Sequence, residues 1–428
     1  MESRPWLLRR WCEGRSNVSA GRDRLQTIMT NPYLLQEILD DIIDLLHDEP
    51  ETLKRCCLVS KSWAPRARKH LFARIEFQSP SELESWKKTF PDVGNSPGYH
   101  ARTLFVGCVQ LVTPSDGEEG GWIRAFSGVK SLGLDGGDQY NRGLRASEIS
   151  LVPFRELALT LKSLRMGRIY LPYAGLFDFI ISFPLLEDLS LTGVDDPHFD
   201  GYRSLDGLAQ TVIPSTSPPL TGSLDFHVLG GAGDIARQLL DLPNGLRFRK
   251  LALLRDHEMD VWWITELVAR CSHTLESLDV GYTFRGTFIY IWPHRQLKLF
   301  PVGLDPGSFD LSKAVNLHHL VFRPELQSVK WITMALQTIT PEHRDLRQIS
   351  IHMPQFLTLL GTGVGRFLGD AACREWSDLD CFLVQFWESR SIRLRAGCVS
   401  MGQRLEGTED CIGCLLPEMM KRGIADPL

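Results

Sequence analysis

Four short clusters in this 428-residue chain hold residue types capable of chemistry. Gly231-Ala232-Gly233-Asp234-Ile235-Ala236 fits G-x-G-x-x-A, between a strand-like LDFHVL and a helix-like IARQLLDL. Glycines in that setting let a dinucleotide pyrophosphate approach the positive end of a helix. Asp256 closes the next strand at about the distance required of a ribose-binding carboxylate. Two features count against this use: Asp234 would place a negative charge beside the phosphates, and the segment is one of a series of similar strand-helix units. A tight turn within that series is the favoured reading, with a dinucleotide-dependent enzyme as the alternative.

The other clusters are weaker. Cys411-Ile412-Gly413-Cys414 has the spacing of a zinc or redox pair, with Cys398 or Cys381 as further ligands, but no histidine follows His352 and no second C-x-x-C exists. His257-Glu258 begins an H-E-x-x-H zinc motif, yet Val261 stands where the second histidine is needed. Gly361-Thr362-Gly363-Val364-Gly365 is followed by Arg366 and Leu368 at the possible third-glycine positions, and no G-x-S-x-G elbow occurs. The expectation is a protein without catalytic residues, metal or cofactor, and not an enzyme.

The more informative stretch lies near the N-terminus. On a helical wheel Leu34, Leu35, Ile38, Leu39, Ile42, Ile43, Leu45 and Leu46 share one half, and Gln36, Glu37, Asp40, Asp41 and Asp44 the other. A helix covering only its own small core needs an apolar stripe of about 100°, so a half-circle leaves surface for a partner. His47 to Glu51 breaks this helix, and Pro50 opens a second one whose apolar face is Leu53, Cys56, Cys57 and Val59. Ser60-Lys61-Ser62-Trp63 turns the chain. Pro65 opens a third helix, with Leu71, Phe72 and Ile75 opposite Arg66, Arg68 and Lys69.

The run E-I-L-x-x-I-I-x-x-L followed by L-K-R-C-C-L-V-S-K-S-W resembles an F-box, in particular the F-box-like proteins numerous in mushroom-forming fungi. The resemblance implies a substrate-recognition adaptor, docked on the Skp-type linker of a Skp-cullin-F-box ubiquitin ligase while the rest of the chain selects a target. Carried over by position, Leu34, Glu37, Ile38, Leu53, Leu58, Val59, Ser60, Lys61 and Trp63 become the linker-binding residues. The Leu-Pro pair that opens the motif is Leu34-Leu35 here, with the nearest proline at Pro32.

Beyond this module an apolar-x-x-apolar-x-apolar pattern recurs. It appears at Val129/Leu132/Leu134, Leu161/Leu164/Met166, Leu186/Leu189/Leu191, Phe248/Leu251/Leu253, Leu275/Leu278/Val280, Leu317/Leu320/Phe322 and Leu346/Ile349/Ile351. Weaker copies stand at Leu104/Val106 and Leu224/Phe226, and helix-like stretches separate the copies. Intervals of roughly 25 to 35 residues, with one near 42, describe leucine-rich repeats with insertions. Each unit has an apolar side it cannot bury alone, so stacked parallel strands inside a layer of helices are expected, with a doubly wound sheet as competitor.

The expected fold is therefore α/β: a mobile tail over 1–31, a three-helix F-box-like module over 32–77, an irregular leucine-rich-repeat solenoid over 78–355, and a C-terminal cap and irregular tail over 356–428. Pro-rich residues near 195–222 and the Phe288-Ile289-Tyr290-Ile291-Trp292 segment are expected insertions. A formal net charge of −5 argues against nucleic acid as main partner. No apolar run reaches the roughly 20 residues that span a bilayer. Arginines interrupt the early apolar residues, which opposes a secretory signal. Ten cysteines, two adjacent at Cys56-Cys57, suit reduced thiols and a cytoplasmic or nuclear location.

In each copy the residues between the apolar ones should point out along the concave face. Asp225, His227, Asp279, His319, Arg323, Gln348 and His352 are the candidate target-binding group, with Arg323 pairing a target carboxylate and the histidines making binding pH-sensitive. Besides the enzyme, a free-standing repeat scaffold without a ligase role is the alternative. Leu35 at the usual proline position leaves the helix start less restricted. Leu35→Pro should tighten binding of a Skp-type linker modestly in a calorimetric titration, and weaker binding would show that the motif register is wrong.

Overall fold

The computed structural model describes residues 36–107, 121–136, 151–169, 173–194, 219–228, 232–242, 245–255, 262–282, 309–324, 329–354, 370–390, 392–400, 403–404, 408–423 and 426–427. It is an α/β protein with parallel strands, and the chain divides into two compact units: residues 1–168 with 182–185, and residues 169–181 with 186–428.

The first unit begins with three helices, α1 (Gln36–Leu45), α2 (Pro50–Val59) and α3 (Ala64–Leu71). Pro50 and Pro65 stand in first turns, where a missing N–H removes no helical hydrogen bond. Ile43, Leu53, Cys56 and Ala67 are the buried centre, with Leu46, Cys57, Trp63 and Leu71 packed round them. Ile75, expected on the third helix, instead lies in strand β1 (Arg74–Phe77), where alternate residues are buried. The sheet thus starts inside the 32–77 segment, because R-I-E-F has strand period and the helix ends at Leu71.

Helix α4 (Pro80–Thr89), capped by the Ser79 hydroxyl, follows β1. Strands β2 (Thr103–Gly107), β3 (Ser131–Asp135) and β4 (Ser163–Gly167) then pair in order, all parallel. Phe77, Trp86, Trp122, Phe126 and Phe154 pack edge-to-face or tilted beneath them, with Trp122 and Phe126 from one short 3-10 helix and Phe154 from another.

The second unit holds α5 (Tyr173–Ile181), β5 (Asp188–Thr192), β6 (Leu220–Val228), α6 (Ala232–Leu240), β7 (Leu246–Arg255), α7 (Trp262–Cys271) and β8 (Ser277–Tyr282). It continues through β9 (His319–Arg323), α8 (Lys330–Gln337), β10 (Gln348–Pro354), α9 (Asp370–Arg390) and β11 (Arg393–Ser400). Strands β5 to β11 pair in sequence order and in parallel. Two-residue strands β12 (Gln403–Arg404) and β13 (Asp426–Pro427) both pair with β11, and α10 (Thr408–Leu415) and α11 (Pro417–Lys421) lie between them in sequence.

Every apolar position of the recurrent pattern is buried. In most full copies two residues point inward from the strand and the first lies just before it, while in β7 all three, Phe248, Leu251 and Leu253, lie within the strand. Inward strand residues meet helix rings, as in Phe226 against Trp263 and Phe322 against Trp331. At β7 the register shifts between Gly222 and Ser223, so Arg249 is an extra residue that lets both Phe248 and Leu251 turn inward. The apolar pattern does not end near Pro354: β11 adds buried Ile392, Leu394 and Ala396, so the strand series enters the segment expected to be irregular tail. Helix α9 contains the expected last helix from Leu379 to Trp387. The tail over 1–31, residues 195–218 of the Pro-rich insertion near 195–222, the Phe288 to Trp292 segment, Gly361 to Gly365 and His257-Glu258 lie outside the described residues, while Leu220 to Gly222, expected in that insertion, begin strand β6.

Gly281 has φ +144, and a Cβ there would stand 2.0 Å from the Arg323 carbonyl oxygen. Gly175, on α5, has nothing within 4 Å of a built Cβ. Gly281→Ala should therefore lower unfolding free energy by about 2 kcal/mol or more, while Gly175→Ala raises it by about 0.5–1 kcal/mol, in urea titrations. Equal effects would contradict the close approach of β8 and β9.

Candidate functional site

Two surfaces, one in each unit, contain the candidate residues. On the module, Ile38 and Ile42 are each 43 % exposed, Leu45 82 %, Leu58 80 % and Val59 65 %. The module centre is complete without these side chains. Leu53 is buried in that centre and Trp63 packs against it, so these two candidate linker-binding positions set the shape of the surface instead of forming it. Glu37, Lys61 and Ser60 are exposed or half-exposed, and Leu34 lies outside the described residues.

One carboxylate ties α1 to α3. Asp44 accepts hydrogen bonds from Arg66 and from His70 Nε2, the latter at 2.6 Å. The Arg66 guanidinium holds the Asp44 carboxyl well below the usual carboxylate range. Asp44 belongs to the polar arc of the wheel, so this tie orients the helix while its apolar residues stay available. Burial pushes the Cys57 thiol up, and pushes that of Cys271 up to about 11, which keeps both as unreactive packing groups.

On the second unit, strand register arranges the outward residues in three rows. The first runs Ser223, Lys250, Ser277, His319, Gln348, Arg393, and the second runs Ser190, Asp225, Ala252, Asp279, Val321, Ser350, Arg395. The third runs Thr192, His227, Leu254, Gly281, Arg323, with His352 next to it on β10. The candidate group is thus brought to one face, but spread over three rows: His319 and Gln348 in the first, Asp225 and Asp279 in the second, His227, Arg323 and His352 in the third.

The second and third rows are largely satisfied internally. Arg323 gives two hydrogen bonds to Asp279, Nε to Oδ1 at 2.8 Å and Nη2 to Oδ2 at 2.7 Å. This corrects the expectation that Arg323 reaches for a target carboxylate. Ser190 donates to Asp225 at 3.0 Å, and Gln348 Nε2 to the buried Ser350 hydroxyl at 2.9 Å. His227 is buried. Burial, with Arg323 adding repulsion, holds His352 at about 4, and its buried Nδ1 has no hydrogen-bonding partner. Held at about 4, His352 is therefore not a sensor near neutral pH. Only His319 among the three is exposed, and its pKa is lowered by burial of the ring and by His318, Arg347 and Lys250.

Lys250, Arg393 and Arg395 of this face were not among the sequence candidates. Lys250 stands directly before Leu251, as Ser277 stands before Leu278, so the pattern already puts it on this face, whereas Arg393-Leu394-Arg395-Ala396 follows an apolar lead, Ile392, in a segment without an L-x-x-L-x-L copy. Of the glycine-rich segment expected as a tight turn, Gly231 lies outside the described residues and Ala232 to Ala236 are already the first residues of α6; a Cβ at Gly233 would stand 3.6 Å from Trp262 Nε1, and Arg237 lies over the Trp262 ring. Cys414 is exposed on α10, and among the described residues no three His, Cys, Asp or Glu side chains group as metal ligands. No described helix is long and apolar enough to cross a membrane. No family model matches the chain, and no curated protein matches it in sequence.

A histidine held neutral by burial costs stability once the unfolded chain takes up its proton. The folded pKa of His352 is about 4 against 6.5 unperturbed, so stability should be lost as pH falls from about 6.5 towards 4. His352→Gln should remove on the order of 1–3 kcal/mol of that loss in urea titrations across the window. An unchanged pH profile would show that His352 titrates normally.

Proposed function

We propose that this chain is a substrate-recognition adaptor of a Skp-cullin-F-box ubiquitin ligase. Its N-terminal module is an F-box-like domain, and its strand-helix units form an irregular leucine-rich-repeat solenoid. The observation that carries the proposal is the surplus apolar surface of Ile38, Ile42, Leu45, Leu58 and Val59 on a module whose own centre is filled by other residues. A small domain gains nothing by exposing five large apolar side chains at the ends of two adjacent helices unless a partner covers them. The partner is then a Skp-type linker with a matching apolar groove, and Glu37, Ser60 and Lys61 supply the polar rim. The repeat region holds a target protein, and catalysis belongs to other subunits of the ligase.

The module can be tested apart from the target. A carboxylate buried without a partner costs several kcal/mol, against about 8 kcal/mol for a micromolar complex. Ile38→Asp and Val59→Asp should each abolish co-purification with a Skp-type linker, while Asp40→Asn leaves it intact. Full linker binding by both aspartate variants, with circular dichroism unchanged, would favour a free-standing scaffold whose helices only cover one end of the repeats.

A further inference from the structure

We propose that the first outward row of the second unit, Lys250, His319 and Arg393 with Arg347 at its edge, binds an extended acidic segment of a target protein. The inference rests on the adaptor reading, whose target class it specifies. The four side chains are exposed, while the inward residues beside them, Leu251, Leu320, Ile349 and Leu394, are buried. Register fixes them as neighbours: Lys250 opposite Ser277, Ser277 opposite His319, His319 opposite Gln348, and Gln348 opposite Arg393. At the strand entrance the Arg347 N–H donates to the His318 carbonyl, and the Arg393 N–H to the Arg347 carbonyl, so Arg347 sits at the entrance of β10, between those of β9 and β11. A positive field over this row is felt by His319, whose proton is disfavoured by His318, Arg347 and Lys250 after burial.

This row differs from the other two because, among the described residues, Lys250, Arg347 and Arg393 make no ion pair. Asp279 is taken by Arg323, and Glu276 lies 3.7 Å from Arg249. Adjacent strands are about 4.8 Å apart, so Lys250, His319 and Arg393, on alternate strands, repeat at about 10 Å. An extended peptide in the polyproline II conformation rises about 3.1 Å per residue with three residues per turn, so a chain laid across the strands meets this repeat on one of its faces with an acidic residue at every third position. Ser277 and Gln348, between Lys250, His319 and Arg393, are the polar groups that its intervening peptide units would meet. Separate carboxylates can avoid Asp279, Asp225 and Glu276 close by, whereas a continuous phosphate backbone would run over them. With a net charge of −5 as well, this favours a peptide over nucleic acid.

The test uses the full chain and a fluorescent peptide with glutamate at every third position between serine and glycine, followed by anisotropy. The glutamate peptide should bind, its glutamine counterpart should not, and affinity should fall as salt rises from about 0.05 to about 0.5 M. Combined Lys250→Gln, Arg347→Gln and Arg393→Gln should weaken binding about tenfold or more. Combined Lys88→Gln, Arg270→Gln and Lys313→Gln, which removes as much charge elsewhere, should not. Equal binding of both peptides, or equal loss in both triple variants, overturns the proposal. So does a single-stranded oligonucleotide that binds more tightly than the glutamate peptide and is lost in the first variant. Linker association, measured on the same preparations, separates the two readings: a chain that binds the peptide but no linker defeats the adaptor role alone, and the reverse defeats only the acidic-segment site.

Discussion

The constraint on which the rest depends is that a short parallel strand cannot bury its apolar side by itself. Parallel neighbours need a crossover, and the crossover must cover the inward residues of the strand it has left. Here most units meet the requirement with one apolar residue before the strand and two within it. The entrance residues also continue the hydrogen-bond ladder, as when the Lys162 N–H donates to Lys130 O, and the His318 N–H to Glu276 O. Backbone pairing and side-chain burial are thus satisfied by the same spacing. In β7, where the strand begins earlier and contains Phe248, the bulge at Arg249 keeps Phe248 and Leu251 on the same side at that spacing.

On the opposite side of the strands, polar residues are satisfied laterally, from strand to strand. Asp135 accepts from Arg168 at 3.0 and 2.9 Å within the first unit, as Asp279 accepts from Arg323 within the second. Arg168 adopts φ 51, uncommon for a residue with a side chain, at the end of β4 where it makes that ion pair. Such cross-strand pairs use up charges that a sequence alone would offer to a ligand.

The period of the apolar residues made the core legible, and so the parallel strands and the intervening helices. Helix α4 and strand β1 were less legible because Ile75 fits a helical face as well as a strand, and only the close of α3 at Leu71 decides between them. For the candidate surfaces, the wheel of α1 separated exposed from polar positions but not exposed from central ones. Ile42 and Ile43 share its apolar half, about 100° apart, yet only Ile43 is buried in the module centre. On the strands, alternation predicted which residues share a face, but Arg323 and Asp279 are 44 positions apart and their pairing depends on a three-dimensional register.

Helix α9 holds its neighbours by their ends. Glu375 accepts from the Val329 and Lys330 N–H groups at the start of α8, and Arg390 donates to the Ile339 and Thr340 carbonyls where the chain leaves it. Asp380, buried between these two, accepts from the Glu418 and Met419 N–H groups at the start of α11. The order of synthesis gives this clasp a temporal meaning. When α8 and β10 have emerged from the ribosome, the side chains that satisfy the ends of α8 have yet to leave its exit tunnel. The nascent chain therefore carries an unfinished edge for as long as it takes to add a further strand and helix, and this is the interval in which a chaperone, or a mistaken neighbour, would find β10 open for pairing.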